Sequence, residues 1–297
     1  MTIDDIQRIL VVGAGQMGSQ IAMQAALHGY AVTLNDLGQP ILDRAMAQNR
    51  GHLERRVAKG QMTTAAMAAA LERVRLEPDL ERAAADADFV IEAIVERLEP
   101  KKECFARLDR LTPRHAILAT NSSTLGNSLI APATGRPDKC VNMHFFYPPL
   151  VMRLVEVVKG QWTSEETLQL TAELGRRIGR EPVTPRKELP GFLVNRILRA
   201  LGKEAYYLLE EGVAPFWEID RAVELGLNFP MGPFRLGDLS GLDIGYHARM
   251  ETYEVTKDPK DRPPRELEKR VLRGDLGRKT GRGFYDYSKT PPEPIPD

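Results

Sequence analysis

The chain has 297 residues, more than one hydrophobic core usually serves, so two domains are expected. Forty-one basic residues balance 41 acidic ones, with 42% hydrophobic and 28% charged residues; this argues against a nucleic-acid-binding or membrane-surface protein, and an acidic ligand would need a local basic patch. No run approaches the ~20 apolar residues of a membrane span, and no basic-then-apolar leader opens the chain. Cys104 and Cys140 belong to no CxxC or Cys/His pattern, so a cytoplasmic protein without metal site or disulfide framework is expected.

In chain order, the apolar β-branched run Arg8–Val12 meets the glycine sequence Gly13-Ala14-Gly15-Gln16-Met17-Gly18 and passes into a helix-like stretch, Ser19–Leu27. Strand, glycine turn and helix in this order suit a dinucleotide. Gly13 permits the turn, Gly15 admits the pyrophosphate to the backbone at the helix N-terminus, and Gly18 lets helix pack on strand. The pattern alone is weak and also fits a structural turn. A second strand, Ala31–Asn35, ends in Asp36, where an acid would bind both ribose hydroxyls of NAD and repel the 2′-phosphate of NADP.

From Pro40 to Leu71 the pattern is helical with a break at Gly60, and His52, Arg55, Arg56 and Lys59 recur at spacings that share one face. A solvated face and an anion site are both compatible with it. Arg75–Asp79 reads as a short strand and turn, and Asp88–Val95 as a buried strand ending in Glu96, with Lys101 in the next helix. Ala116–Thr120 is another strand, with Asn121-Ser122-Ser123-Thr124 at its carboxyl end, where ligands sit in a doubly wound sheet; a cap on the following helix is the alternative role for Ser123.

The stretch Val141–Val158 holds two side chains suited to proton transfer, His144 and Glu156, within apolar runs. In a hairpin centred on Pro148-Pro149-Leu150 they lie six residues to either side and face each other, at the about 4.5–5.5 Å between Cβ atoms that lets a carboxylate bond an imidazole. A carboxylate-oriented histidine is a general base for neutral pH; a core histidine satisfied by a chance acid is the bland alternative. After a helix at Ser164–Ile178 and a short strand at Pro182–Pro185, no strand pattern appears between Gly191 and residue 284. A long amphipathic helix from Phe192 to Leu209 is followed by helices at Trp217–Leu225 and Leu236–Glu254. Lys257–Pro264 reads as a mobile loop and Thr290–Asp297 as a frayed tail.

The motifs GAGQMG, VIEAIVE, ATNSST, the HFF…VMRLVEVV hairpin, PGFLVNRIL, MGPFRLGDLSGLD and GRKTGRGFYDY occur in an order and spacing that resembles the L-3-hydroxyacyl-CoA dehydrogenase family, in its short 3-hydroxybutyryl-CoA form, over essentially the whole chain. The resemblance implies a Rossmann-type α/β domain with a mostly parallel sheet at 1–187 and an all-helical substrate and dimerisation domain at 188–297. It implies NAD-dependent oxidation of a short L-3-hydroxyacyl-CoA; the many aromatic and leucine positions of the second domain exceed what it can bury alone, so a homodimer through it is expected. His144 would be the base, Glu156 its partner, and Ser123 with Asn195 would hold the reacting oxygen. Asp36, Glu96, Lys101, Ser123 and Lys279 fall at cofactor-contacting positions, while His52, Arg55 and Lys59 match the region holding the CoA phosphates. One departure is Tyr147, where the family's HFFNP has asparagine beside nicotinamide and substrate. The same chemistry on a non-CoA 3-hydroxy acid, and a non-catalytic crystallin-like relative, remain as alternatives; Asn195 speaks against hydroxyacid dehydrogenases that use a lysine in the helical domain.

Overall fold

The computed structural model describes residues 1–296, apart from the side chains of residues 251, 252, 255 and 256. The chain divides into two compact units, Met1–Leu193 and the remainder from Val194. In the first, β1 (Arg8–Val12), α1 (Gln16–Leu27), β2 (Ala31–Asn35), α2 (Gln39–Ala58), α3 (Thr64–Glu72) and β3 (Val74–Leu76) are followed by α4 (Leu80–Ala84), β4 (Phe89–Glu92), α5 (Leu98–Leu111) and β5 (Ile117–Thr120). Then come α6 (Asn127–Ile130), β6 (Cys140–Phe145), β7 (Leu154–Val158), α7 (Glu165–Arg177) and β8 (Glu181–Val183).

The eight strands form one sheet in the order β3-β2-β1-β4-β5-β6-β7-β8, parallel throughout except for the β6–β7 pair. Side chains alternate across a strand, so the apolar run Ile9–Val12 of β1 feeds both faces. Ile9 and Val11 join a core with Ile21, Ala22 and Val32; Leu10 and Val12 join one with Val90, Phe105 and Leu118. Each such side chain, fully buried, contributes about 1.5–3 kcal/mol. Order β2-β1-β4 reverses direction at β1, and the carboxyl ends of β1 and β4 bound the crevice where ligands bind in open α/β sheets.

The buried strand expected over Asp88–Val95 is shorter. It stops at Glu92, whose carboxylate accepts the Ile94 N–H at 2.7 Å and turns the chain; Val95 is exposed. Ser123 caps no helix, since the next one, α6, is capped by Gly126.

The second unit contains α8 (Val194–Glu210), α9 (Phe216–Gly226), α10 (Pro233–Ser240), α11 (Leu242–Thr256) and α12 (Arg265–Arg273). Besides these helices it holds a two-residue antiparallel ribbon of β9 (Tyr285–Asp286) and β10 (Glu293–Pro294), so the expected frayed tail pairs as a strand up to Pro294; Asp297 lies outside the described residues. The single helix expected over 236–254 is broken at Gly241, whose φ of 102° no ordinary side chain adopts cheaply. Phe216, Phe234, Phe284 and Tyr285 make an aromatic core. Two buried carboxylates strap it together: Asp220 accepts the Phe234 N–H and the Tyr285 hydroxyl, each at 2.8 Å, and Asp238 accepts the Phe284 and Tyr285 N–H groups, each at 2.9 Å. No helix among the described residues is long and apolar enough to cross a membrane.

Candidate active site

The three glycines after β1 are separated by what a side chain would meet. A Cβ at Gly13, where φ is 101°, would lie 2.6 Å from the Ala93 carbonyl oxygen, and one at Gly18 would lie 1.8 Å from the Gly13 oxygen. At Gly15 nothing stands within 4 Å. Two glycines are therefore required by packing, and the third leaves open backbone at the start of α1, which no capping side chain covers. A pyrophosphate fits that cradle, against unsatisfied N–H groups at the positive end of a helix. Asp36 sits just past β2, its Oδ2 accepting the Ala14 N–H at 2.6 Å and its Oδ1 the Leu37 N–H at 2.7 Å. The turn thus fixes Asp36 beside the glycines, where a ribose bound through its pyrophosphate would arrive.

Across the crevice, Glu92 and Lys101 are buried, 0% and 1% exposed, with Lys101 Nζ 2.8 Å from Glu92 Oε1 and 3.2 Å from Glu96 Oε2. The Thr120 hydroxyl donates to Glu92 at 2.7 Å. Glu96 Oε1 collects the Ser122 hydroxyl and the N–H groups of Ser123 and Thr124, the latter two at 3.0 Å. Burial pushes the Glu96 carboxyl up, but the Ser122 hydroxyl, the Lys101 charge and the Thr124 N–H together hold it down at about 2. One ionic cluster therefore ties the ends of β4 and β5 to α5. It leaves the Ser123 hydroxyl with no hydrogen bond among the described residues. Glu92 was not singled out from the sequence; its signal is a carboxylate at the end of an apolar strand nine residues before a lysine.

The hairpin register pairs His144 with Glu156. Nδ1 of His144, on a residue 5% exposed, donates to Glu156 Oε2 at 2.9 Å, and the other carboxylate oxygen accepts the Leu193 N–H at 3.0 Å. Glu156 is fully buried. Phe146 and Phe192 wall the imidazole, with ring centroids 4.6 and 5.6 Å away. Nε2 makes no hydrogen bond among the described residues. Asn121 Oδ1 accepts the Phe145 N–H at 2.9 Å, linking the loop that carries Ser123 to the strand that carries His144. The ring is thus held by one nitrogen and available at the other. Phe192 and Leu193, used here, explain why the first unit extends to residue 193.

His52, Arg55, Arg56 and Lys59 line one cavity of about 230 Å³, with Gln20, Pro148 and Leu150 on its other side. Arg55 donates to His52 Nδ1 at 2.8 Å; burial and then the charges of Arg55 and Arg56 hold the His52 pKa below its usual value. Arg56 donates to the Leu150 carbonyl and so joins α2 to the hairpin turn. Arg56 was on the basic face by spacing, but its bond across to residue 150 has no local signal. Tyr147 is exposed in the same turn. In the second unit, Asn195 lies in the first turn of α8, and Lys279 pairs with Asp243 at 2.6 Å.

Residues 8–188 match the family described as 3-hydroxyacyl-CoA dehydrogenase, NAD binding domain, and residues 191–287 match its C-terminal domain. The chain belongs to the 3-hydroxyacyl-CoA dehydrogenase family. It is similar to the 3-hydroxybutyryl-CoA dehydrogenase of Clostridioides difficile, 42% identical over 95% of this chain and all of that one, and to a probable 3-hydroxybutyryl-CoA dehydrogenase of Bacillus subtilis, 41% identical over 96% and 99%. The crystal structure of the (S)-3-hydroxybutyryl-CoA dehydrogenase of Ralstonia eutropha superposes with a TM-score of 0.87 at 38% identity, covering 96% of this chain and 100% of that one. The family membership makes this chain an NAD-dependent oxidoreductase, and the open backbone at Gly15 beside Asp36 is the part of the structure that fits NAD.

Proposed function

We propose that the protein oxidises a short-chain L-3-hydroxyacyl-CoA to the 3-oxoacyl-CoA, reversibly, with His144 as general base. The observation that carries this reading is the buried His144–Glu156 pair, which commits Nδ1 to the carboxylate and leaves Nε2 to take the proton of the substrate hydroxyl. Glu156 fixes the tautomer and offsets the charge that the imidazole acquires. Ser123, with its hydroxyl unengaged, orients the C3 oxygen; Asn195 shares this role on the strength of the PGFLVNR pattern. NAD, when bound, supplies the hydride acceptor. Short acyl chains are favoured because the similar proteins named above carry 3-hydroxybutyryl-CoA in their names. Tyr147, at the position the family gives to asparagine, is the residue at which chain length or head group would be altered. NADH formation measured against acyl-CoAs of rising chain length and against free 3-hydroxy acids tests the reading; turnover of a free acid above that of every thioester would overturn it.

A ribose bound beside Asp36 would bring a 2′-phosphate against its carboxylate, and the like charges repel. NAD should therefore exceed NADP in kcat/KM, and Asp36→Ala should narrow the gap by tenfold or more, the worth of about 1.4 kcal/mol in charge repulsion and lost hydrogen bonds. Equal kcat/KM for the two cofactors in the unaltered protein would contradict the assignment.

The basic cavity on α2 suits the CoA phosphates, since among the described residues none of Arg55, Arg56 and Lys59 pairs with a carboxylate. Lys59→Ala should raise KM for an acyl-CoA several-fold while leaving KM for NAD within twofold. A truncated thioester without the nucleotide should not respond. Unchanged KM for both substrates would reduce the cavity to a solvated face.

We infer a homodimer through the second unit. Helix α8 is strongly amphipathic in sequence, yet only Ala205 along it is buried, and Ile197, Leu225 and Ile244 of this unit stand 61–75% exposed. Light scattering should return twice the chain mass at micromolar concentration, and a monomer mass independent of concentration would refute the dimer.

A further inference from the structure

A second cavity, of about 400 Å³, lies wholly within the second unit, between α8, α11 and the proline-rich segment that leads to α12. Its wall includes Lys203, Arg249, Lys260, Arg262 and Arg265, against one acid, Glu210. Several cations elsewhere in this unit are matched: Arg235 to Glu224, Lys269 and Arg270 to Glu266, Lys279 to Asp243, Arg282 to Asp275 and Lys289 to Glu293. Among the described residues none of the five cavity cations has a carboxylate partner. Five unmatched charges around one concavity are unexpected in a chain whose basic and acidic residues balance.

Arg249 is the informative member. It is partly buried on α11 with its guanidinium 5.7 Å from the centre of the Tyr206 ring, and burial followed by the neighbouring Arg199 charge holds its pKa below the usual arginine value, against the opposing pull of Tyr206 and Glu210. A guanidinium that is desolvated without a carboxylate is destabilised until an anion supplies the missing charge. The opposite wall is stiff. Pro259 opens a 3-10 turn through Asp261, Asp258 accepts the Lys260 N–H at 2.9 Å, and Pro263 and Pro264 follow, so Lys260 and Arg262 project from a short fixed turn where the composition suggested a mobile loop. Asp258 and Asp261 do not line the cavity.

We propose that this cavity is a second anion site, separate from the α2 face, which takes the phosphate groups of a nucleotide or of free pyrophosphate. Guanidinium and ammonium groups from two helices and a turn converge on the phosphates, and Tyr206 and Tyr207 present flat apolar surface beside them. The site lies outside the residues that carry the oxidation, so ligand there would act on the second unit without competing for the dinucleotide turn.

The test is calorimetric titration of the full chain held with saturating NADH and free CoA, which occupy the dinucleotide turn and the α2 face. Inorganic pyrophosphate should bind, and binding should weaken as salt is raised. Lys260→Glu with Arg262→Glu, both exposed on the turn, and separately Arg249→Gln, should each weaken it about tenfold or more; Lys59→Ala should change it less than twofold. Hydrogen exchange should slow over residues 199–210 and 257–265 on addition of pyrophosphate. ADP binding tighter than pyrophosphate assigns the occupant to a nucleotide stacked on the tyrosines, and equal binding assigns it to free polyphosphate. No heat at millimolar pyrophosphate, binding indifferent to the double charge reversal, or binding lost in Lys59→Ala instead would overturn the site.

Discussion

His144→Ala should lower kcat about 10²–10⁴-fold, the usual worth of a general base, while leaving the affinity for NAD within twofold. The split follows from the geometry. The imidazole is held by Glu156 on β7 and walled by Phe146 and Phe192, whereas the dinucleotide turn is built from β1, α1 and Asp36. Glu156→Gln is the finer instrument, because it keeps the shape but leaves one acceptor oxygen for the two N–H groups, His144 Nδ1 and Leu193, that now donate to the carboxylate, and removes the negative charge that offsets the imidazolium. It should retain a folded protein and lose at least tenfold in kcat with little change in KM. His144→Ala strands a fully buried carboxylate, so its melting temperature must be measured beside its rate. Near-normal turnover by a folded His144→Ala would make the pair structural and remove the central assignment of the proposed mechanism.

Lys101→Met should be the most damaging change to stability in the first unit. Glu92 is fully buried, and without the ammonium at 2.8 Å it retains only the Thr120 hydroxyl and the Ile94 N–H to meet its charge. Removing one partner of a buried pair costs about 3–5 kcal/mol, which for a unit of this size corresponds to a melting temperature lower by roughly 10 °C. Glu96 would lose the same ammonium, so the Ser122–Thr124 loop should loosen and KM for NAD should rise as well. Glu92→Gln in the same chain should restore much of the stability, since a neutral amide needs no cation, accepts the Ile94 N–H through its oxygen and can donate its NH2 to the Thr120 hydroxyl oxygen. A Lys101→Met protein within 1 kcal/mol of the parent would show that the cluster is solvated and not a clamp.

These expectations differ in how much of them was legible before folding. Local pattern was enough for the glycine turn, because a strand, three glycines at fixed spacing and a helix are neighbours along the chain; the acid at residue 36 follows from the length of the next strand. The His144–Glu156 register was equally accessible, since side-chain period in a strand is two and the two prolines place the turn midway between them. The match to the family's motifs gave the order of the remaining elements. Element ends were less accessible: the run Phe89–Val95 is apolar to its last residue, and only the bond from Ile94 to Glu92 shows why the strand stops early.

Charge pairing across distant segments was decided by the tertiary structure alone. Hydrophobic period says which face of a strand or helix turns inward, but not which polar side chain meets another from a different element, because that depends on where two independent segments come to rest. So the spacing of residues 52, 55, 56 and 59 identified a basic face but not the Leu150 carbonyl opposite Arg56. Lys101 read as a residue near a ligand, and the structure makes it the buried counter-ion of Glu92 and Glu96. The segment Lys257–Pro264 read as a charged loop, and only folding placed its cations beside Lys203 and Arg249. Composition summed those charges to zero, while the fold set which of them meet a counter-ion and which gather around a cavity without one.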